Sequence, residues 1–321
     1  MTHPDNDAGR RPPRQFFGRP RRSVFHVLLI AAAALGAALA PPAGAAPFDL
    51  PPLVQPASGE HHAGKIVWAD LVTPDLEGAK RFYGGLFGWT FRDIRTGERS
   101  YTLALLDGEP VAGIAQRPLR ADKPGQPAWL TFISTANVGE AERIALARGG
   151  KVIAPARTYA RRGRQAVLAD PQGAVFAVLQ SASDDPRDEL ASPGEWIWSS
   201  LVTRDPDAGA AFYQAMFGYE AFDLPHDDGF EHVVLSSDGY ARASVNALPG
   251  ETSTLRPHWL NFVRVLSAAD AVRKVEALGG RVLVAPYRDR HGGLTAVVAD
   301  PAGAPVGLLE WTGSAGQEVA K

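Results

Sequence analysis

The stretch KIVWADLVTPDLEGAKRFYGGLFGW, Lys65 to Trp89, decides the fold, because an altered copy occurs as WIWSSLVTRDPDAGAAFYQAMFGY at Trp196 to Tyr219. Laying Val67–Ile94 on Ile197–Leu224 at a constant offset of 130 gives ten identities in 28 positions: Trp68, Leu71, Val72, Thr73, Asp75, Phe82, Tyr83, Phe87, Gly88 and Asp93, each with its copy. The same offset aligns PAWLTF from Pro127 with PHWLNF from Pro257, Gly149-Gly150 with Gly279-Gly280, and ADPQG from Ala169 with ADPAG from Ala299. Self-similarity at a fixed period marks a duplicated unit, here of about 120 residues.

Each copy divides again into two similar halves. In the first, Ile66–Thr73 reads as a strand and Asp75 as a helix N-cap. Leu76, Ala79, Phe82, Tyr83, Leu86 and Phe87 then fall on one helical face before Gly88 stops the turn. In the second copy Asp205 caps, Pro206 takes the first helical position, and Phe212, Tyr213, Met216 and Phe217 form the stripe. An aromatic stripe at that spacing is the core of a helix on a sheet rather than a ligand box. Short strands follow at Trp89–Asp93, Tyr101–Leu106 and Val111–Gln116. The next half repeats the order: strand Trp129–Ser134, helix Val138–Arg148, then strands near Val152, Ala166–Ala169 and Val175–Gln180. The chain is thus α+β, with four βαβββ modules forming two domains.

The remaining segments set the boundaries. Arg21-Arg22 precedes an apolar run, Val24–Ala40, closed by Pro41-Pro42 and the small residues Ala43 to Ala46. A basic lead, an apolar run and a small-residue cleavage site make residues 1–45 a signal peptide, with RRSVF resembling a twin-arginine signal. The expectation is an exported protein, periplasmic or extracellular, with no stable membrane span after cleavage. The first domain is placed at 60–182 and the second at 195–312, joined by the acidic, Pro-containing linker 183–194 and followed by a tail, 313–321. Six arginines against Asp5 and Asp7 give the leader +4; with −2 for the whole chain, the remainder carries −6. That balance argues against a nucleic-acid partner. Cysteine is absent, which excludes disulfides, thiolate nucleophiles and Cys-ligated zinc. No nucleophile elbow or phosphate loop occurs.

The βαβββ unit, whose first strand leads into T-x-D-x-x-x-A-x-x-F-Y-x-x-x-F-G-W and which closes on D-P-x-G before a last strand, resembles the vicinal oxygen chelate superfamily. Its members include glyoxalases, bleomycin-resistance proteins and extradiol dioxygenases. The likeness spans Lys65–Gln180 and Trp196–Trp311. It implies that paired modules form a curled mixed sheet around a cavity, with helices outside. In the metal-dependent members, the resemblance implies a His, Gln or Glu ligand seven residues before the capping Asp, where Trp68 and Trp198 stand. The corresponding position of the second module falls on Trp129 and Trp259, and the last-strand Glu on Ala177 and Gly307; Val111–Gln116 holds neither acid nor His. Indole has no lone pair for a metal, and Ala and Gly have no donor at all.

Strand alternation then expects Trp68, Asp70 and Val72 to face inward with Trp129, Thr131 and Ile133, and Trp198 and Ser200 with Trp259 and Asn261. Two indoles and a few polar groups suit a planar or amphipathic small molecule; they equally suit a filled core. No cofactor is expected under this reading. The alternative is a lyase, isomerase or dioxygenase with a rearranged divalent-metal site or with Asp70 as general base, its pKa raised by burial. His61-His62 reads as a solvated loop and the cluster His226, Asp227, Asp228, Glu231 and His232 as a surface hairpin; under the alternative they are the places for such a metal. His258 reads as a structural histidine. Arg157, Arg161, Arg162 and Arg164 with Tyr159, echoed by Tyr287, Arg288, Arg290 and His291, read as solvated basic loops beside a pocket mouth. Pairing of the copies within one chain lessens the need for a homo-oligomer, which stays possible.

Overall fold

In the computed structural model, residues 49–96, 99–118, 126–223, 232–248, 255–288 and 293–311 are described. The leader, the tail and the segment His226–Glu231 lie outside the described residues, as do Arg290 and His291. The first copy runs β1 (Ile66–Thr73), α1 (Leu76–Phe87), β2 (Thr90–Thr96), β3 (Arg99–Leu106), β4 (Glu109–Gln116), β5 (Ala128–Ser134), α2 (Val138–Ala147), β6 (Lys151–Tyr159), β7 (Gly163–Ala169) and β8 (Val175–Ser181). The second repeats it as β9 (Trp196–Thr203), α3 (Pro206–Phe217), β10 (Glu220–Asp223), β11 (His232–Ser237), β12 (Tyr240–Ala247), β13 (His258–Arg264), α4 (Ala268–Val275), β14 (Arg281–Arg288), β15 (Leu294–Ala299) and β16 (Pro305–Glu310). Each copy is one eight-stranded mixed sheet, in the order β2-β3-β4-β1-β5-β8-β7-β6 and its equivalent. Modules join edge to edge where β1 pairs antiparallel with β5, and each module is closed by a parallel pair, β1 with β4 and β5 with β8.

The helices start and stop where the sequence places them. Asp75 Oδ1 accepts from the Gly78 amide at 2.8 Å and Asp205 Oδ1 from the Ala208 amide at 2.9 Å. Gly88 and Gly218 end α1 and α3 in the left-handed region, at φ 77° and 73°. The aromatic stripes are core, and that core crosses the copies. Phe82, Tyr83 and Phe87 of α1 share a buried cluster with Ala69, Leu71 and Trp129 of their own sheet and with Val263, Val275 and Val298 of the other copy. Phe212, Tyr213 and Phe217 likewise join Trp259 to Ile133, Val138 and Phe176. The two sheets therefore turn their helix-bearing faces toward each other, and each keeps a second face free of helices.

Hydrogen bonds repeat across this seam at the offset of 130. Trp89 Nε1 donates to the Gly194 carbonyl at 2.8 Å, and Tyr219 at the copied position donates its hydroxyl to the Gly64 carbonyl. Thr131 Oγ1 donates at 3.0 Å to Oδ1 of Asn261, its own copy, which marks where the pseudo-twofold axis passes.

The linker is tied into the same seam. Buried Asp185 accepts from the His62 amide at 2.8 Å and from Ser134 Oγ at 2.6 Å. Asp188 receives Lys65 Nζ at 2.7 Å and Arg242 at 2.5 and 3.0 Å. Burial pushes the Asp188 carboxyl up, but hydrogen bonds from Arg242 and Lys65 outweigh it and hold the pKa at about 2. A depressed carboxylate contributes stability that is present above its unfolded pKa and lost as pH falls through the folded one. Asp188→Asn is therefore expected to cost about 2 kcal/mol at pH 7 and almost nothing below pH ~2, measured by urea unfolding across that range. An equal loss at both ends would refute the ion-pair account.

Candidate functional site

Register decides which residues share a face. Asp70 lies opposite Leu130 and Trp68 opposite Phe132, whereas Leu71 lies opposite Trp129 and Ala69 opposite Thr131. Side chains alternate along a strand, so Trp68 and Asp70 stand on the helix-free face with Leu130 and Phe132. Trp129, Thr131 and Ile133 stand on the helix-bearing face. This corrects the expectation that Trp129 and Thr131 face inward beside Trp68. Its cause is a slip of one residue. The helix caps Asp75 and Asn137 are 62 residues apart, so the second-module counterpart of Trp68 is Leu130. A slip of one reverses every side chain in a strand. The second copy carries the same correction: Trp198 pairs with Phe262 and Ser200 with Leu260, while Trp259 and Asn261 turn to the seam.

At the seam the indoles hold a relay. Trp129 Nε1 donates to the Tyr83 hydroxyl at 3.0 Å, which donates to Asp300 Oδ2 of the other copy at 3.2 Å. Trp259, Tyr213 and Asp170 repeat it at 2.9 and 3.3 Å. The other oxygen of each Asp caps its own turn, accepting from the Ala174 and Ala304 amides at 2.9 Å. Burial raises both carboxyls above the ordinary range, and burial with the facing carboxylate raises Tyr83 and Tyr213 well above theirs. The paired Trp129 and Trp259 are thus explained by copy-to-copy packing.

On the helix-free face of the first sheet, Asp70 Oδ1 accepts from the Tyr101 hydroxyl at 2.6 Å and from Trp68 Nε1 at 2.8 Å. Burial raises the Asp70 pKa, against the pull of the Tyr101 hydrogen bond, the Arg162 charge and the Trp68 indole. Gly113 lies opposite Asp70 on β4, and a Cβ there would collide with the Tyr101 hydroxyl and Asp70 Oδ1, so only glycine leaves room for their contact. Arg162, read from sequence as part of a solvated loop, is 1% exposed. Its guanidinium lies 4.2 Å from the Trp68 ring centroid and its Nε donates to the Pro51 carbonyl at 2.7 Å. Leu50 and Leu53, from the segment before the repeat, are buried in the same cluster.

The second sheet presents a different surface. Trp198 is only partly buried and its Nε1 donates to Ser244 Oγ at 3.1 Å. Ser244 Oγ lies 2.7 Å from Ser200 Oγ and accepts from Asn246 Nδ2 at 3.1 Å. Ser244 pairs with Ser200 as Gly113 pairs with Asp70, so a hydroxyl cluster replaces the carboxylate and tyrosine.

The positions at which the resemblance implies metal ligands do not fit a divalent cation. Trp68, Leu130 and Ala177 in the first sheet, and Trp198, Leu260 and Gly307 in the second, supply no lone pair, and the Phe262 ring covers Gly307. Among the described residues no group of three or more His, Asp or Glu converges as an ion site. His61 and His62 point apart, His61 to Asp184 at 3.1 Å and His62 to Glu60 at 3.0 Å. His258 Nδ1 meets the Arg256 carbonyl at 2.8 Å, and burial lowers its pKa. Sequence reading missed Tyr101, Ser244, the burial of Arg162 and the role of Leu50–Leu53. The one visible signal was a Leu-Pro-Pro-Leu run just before the repeat.

Four βαβββ modules in two mixed sheets define a tandem chelate-type fold whose usual ligand positions hold apolar groups. The chain belongs to the glyoxalase/bleomycin resistance protein/dioxygenase superfamily, whose family model matches residues 65–178, and a glyoxalase-like domain model matches 198–309. A Mycobacterium tuberculosis protein named "Putative glyoxylase CFP32" is 32% identical over 259 residues, 79% of this chain and 98% of the relative. The anthracycline biosynthesis protein DnrV of Streptomyces peucetius is 31% identical, covering 77% of this chain and 93% of the relative. Among solved structures, a homoprotocatechuate 2,3-dioxygenase variant from B. fuscum superimposes with TM-score 0.58 at 15% identity, covering 84% and 77% of the two chains. The Mn(II)-bound glyoxalase from Novosphingobium aromaticivorans gives 0.57 at 15% identity, covering 82% and 87%.

Proposed function

We propose that this is an exported member of the superfamily that binds a small aromatic or amphipathic molecule on its helix-free sheet faces without a metal or other cofactor. The observation that carries the reading is the second face: a partly accessible indole, Trp198, edged by Ser200, Ser244 and Asn246. An indole offers a flat apolar surface, and the hydroxyls and amide beside it orient a ligand's polar edge. The name of the DnrV relative supports a planar aromatic ligand class. Residues 1–45 support export, and among the described residues no helix is long and apolar enough to cross a membrane.

Titration with 1,4-dihydroxyanthraquinone, followed by tryptophan fluorescence, tests the reading. Trp198→Ala is expected to weaken binding about tenfold, the loss of one stacked ring, with little change in stability. Unchanged affinity would remove the second face from consideration. Plasma mass spectrometry of untagged protein is expected to find transition metal far below one equivalent; a stoichiometric metal would overturn the metal-free reading.

A second reading, an enzyme using Asp70 as general base, is favoured by the raised pKa of that carboxyl beside Tyr101. Asp70→Asn would then abolish turnover while leaving Trp198-dependent binding intact.

A further inference from the structure

We propose that Arg162, Trp68 and Asp70 form a separate binding site for a carboxylate carried on an apolar body, and that the chain's own Leu50–Leu53 segment covers it at rest. The inference rests on the reading of the helix-free faces as ligand surfaces and adds the ligand class and the cover. Arg162 Nη2 is buried with no hydrogen-bond partner, although the Asp70 carboxyl is close enough to feel the charge of the guanidinium. A buried guanidinium edge without a hydrogen-bond acceptor is costly, and its planar fork matches a carboxylate. The guanidinium carbon lies over the Trp68 ring, and its Nη2 edge is left to be filled. Gly163, at φ 116° and with the Gln180 carbonyl where a Cβ would stand, forms the turn beside Arg162 that only glycine accommodates.

The cover has the shape of the ligand it would yield to. A carbonyl oxygen, that of Pro51, sits on Arg162 Nε with apolar Leu50 and Leu53 on either side. Besides that bond and the burial of Leu50 and Leu53, its attachments are few: the exposed Asp49–Arg161 pair at 2.9 Å, and the Leu53 and Val54 amides sharing Ser183 Oγ at 2.9 and 3.3 Å. An exposed pair of that kind contributes little. No such cover belongs to the repeat, because the positions 130 later than Leu50–Leu53 are Gln180–Ser183, which end β8 and begin the linker. The Asp70 oxygen that faces this site is already held by the Tyr101 hydroxyl at 2.6 Å and the Trp68 indole at 2.8 Å, which leaves the Arg162 edge for an incoming anion.

The test compares the full chain with the full chain carrying Leu50→Ser and Leu53→Ser, which keeps the segment and removes its anchors. The probe is 3-phenylpropionate, with 3-phenylpropionamide as the neutral control, by calorimetric titration. The expected result is about tenfold tighter binding of the acid to the variant, and about tenfold preference for acid over amide. Adding Arg162→Met, of similar length, should erase the preference. Should the double variant fail to fold, Ser183→Ala frees the Leu53 and Val54 amides and should raise acid affinity in the same direction. Equal affinity with and without the anchors, equal binding of acid and amide, or preference surviving Arg162→Met would each overturn the proposal. Failure here with Trp198-dependent binding intact refutes only this site, whereas loss of both refutes the function proposed above.

Discussion

Trp129→Ala is expected to lower the unfolding free energy by about 3–5 kcal/mol and leave ligand affinity unchanged. Trp129 is 5% exposed and meets the rings of Tyr83 and Trp196 edge to face, with centroids 5.2 and 4.9 Å away. Deleting the indole opens a cavity between sheet and helix and strips Tyr83 of its donor, two costs that add. Calorimetry should show the melting temperature falling by roughly 10 °C, whereas Trp198→Ala should move it only a little. The two substitutions thus separate seam from surface. Lost affinity without lost stability in Trp129→Ala would mean that the faces are assigned the wrong way round.

The contrast shows what was legible in the sequence. The duplication, the four modules, the helix caps at Asp75 and Asp205 and the core stripes follow from periodicity and capping chemistry, which are local. Trp68, Asp70, Trp198 and Ser200 were placed together on the strand faces they occupy. Trp129, Thr131, Trp259 and Asn261 were not, because a period of two allows no tolerance and β5 reads almost continuously apolar, with no polar alternation to fix its phase. Arg162 was illegible for another reason. Its burial depends on Leu50 and Leu53, more than a hundred residues earlier and outside the repeat, so nothing in its own neighbourhood distinguishes it from the exposed Arg161 and Arg164. The Asp of D-P-x-G closes its own turn with one oxygen, but its second oxygen belongs to a tyrosine of the other copy, which no local pattern reveals.

That shared carboxylate yields the second large effect: Asp170→Ala is expected to cost about 3 kcal/mol or more, and Asp170→Asn about 1 kcal/mol. Alanine leaves the fully buried Ala174 amide and the Tyr213 hydroxyl without acceptors at once. Asparagine keeps an oxygen for the turn amides, and it removes the burden of a buried charge that raises the Asp170 pKa. A raised carboxyl contributes most to folding below its ordinary pKa and loses that contribution as pH rises, so the Asn variant should also flatten the pH dependence of stability. Asp170 and Tyr213 meet across the seam, so a double-mutant cycle with Tyr213→Phe should show coupling of about 1 kcal/mol, while Asp170 and Asp300, in separate relays, should add independently as long as the sheets stay together. Combining Asp170→Ala with Asp300→Ala removes both relays, and the cooperative melt should then split into two transitions, one for each sheet. A single transition in that variant would mean that the apolar helix layer alone binds the copies together, with the tyrosine–aspartate relays serving only to set their register.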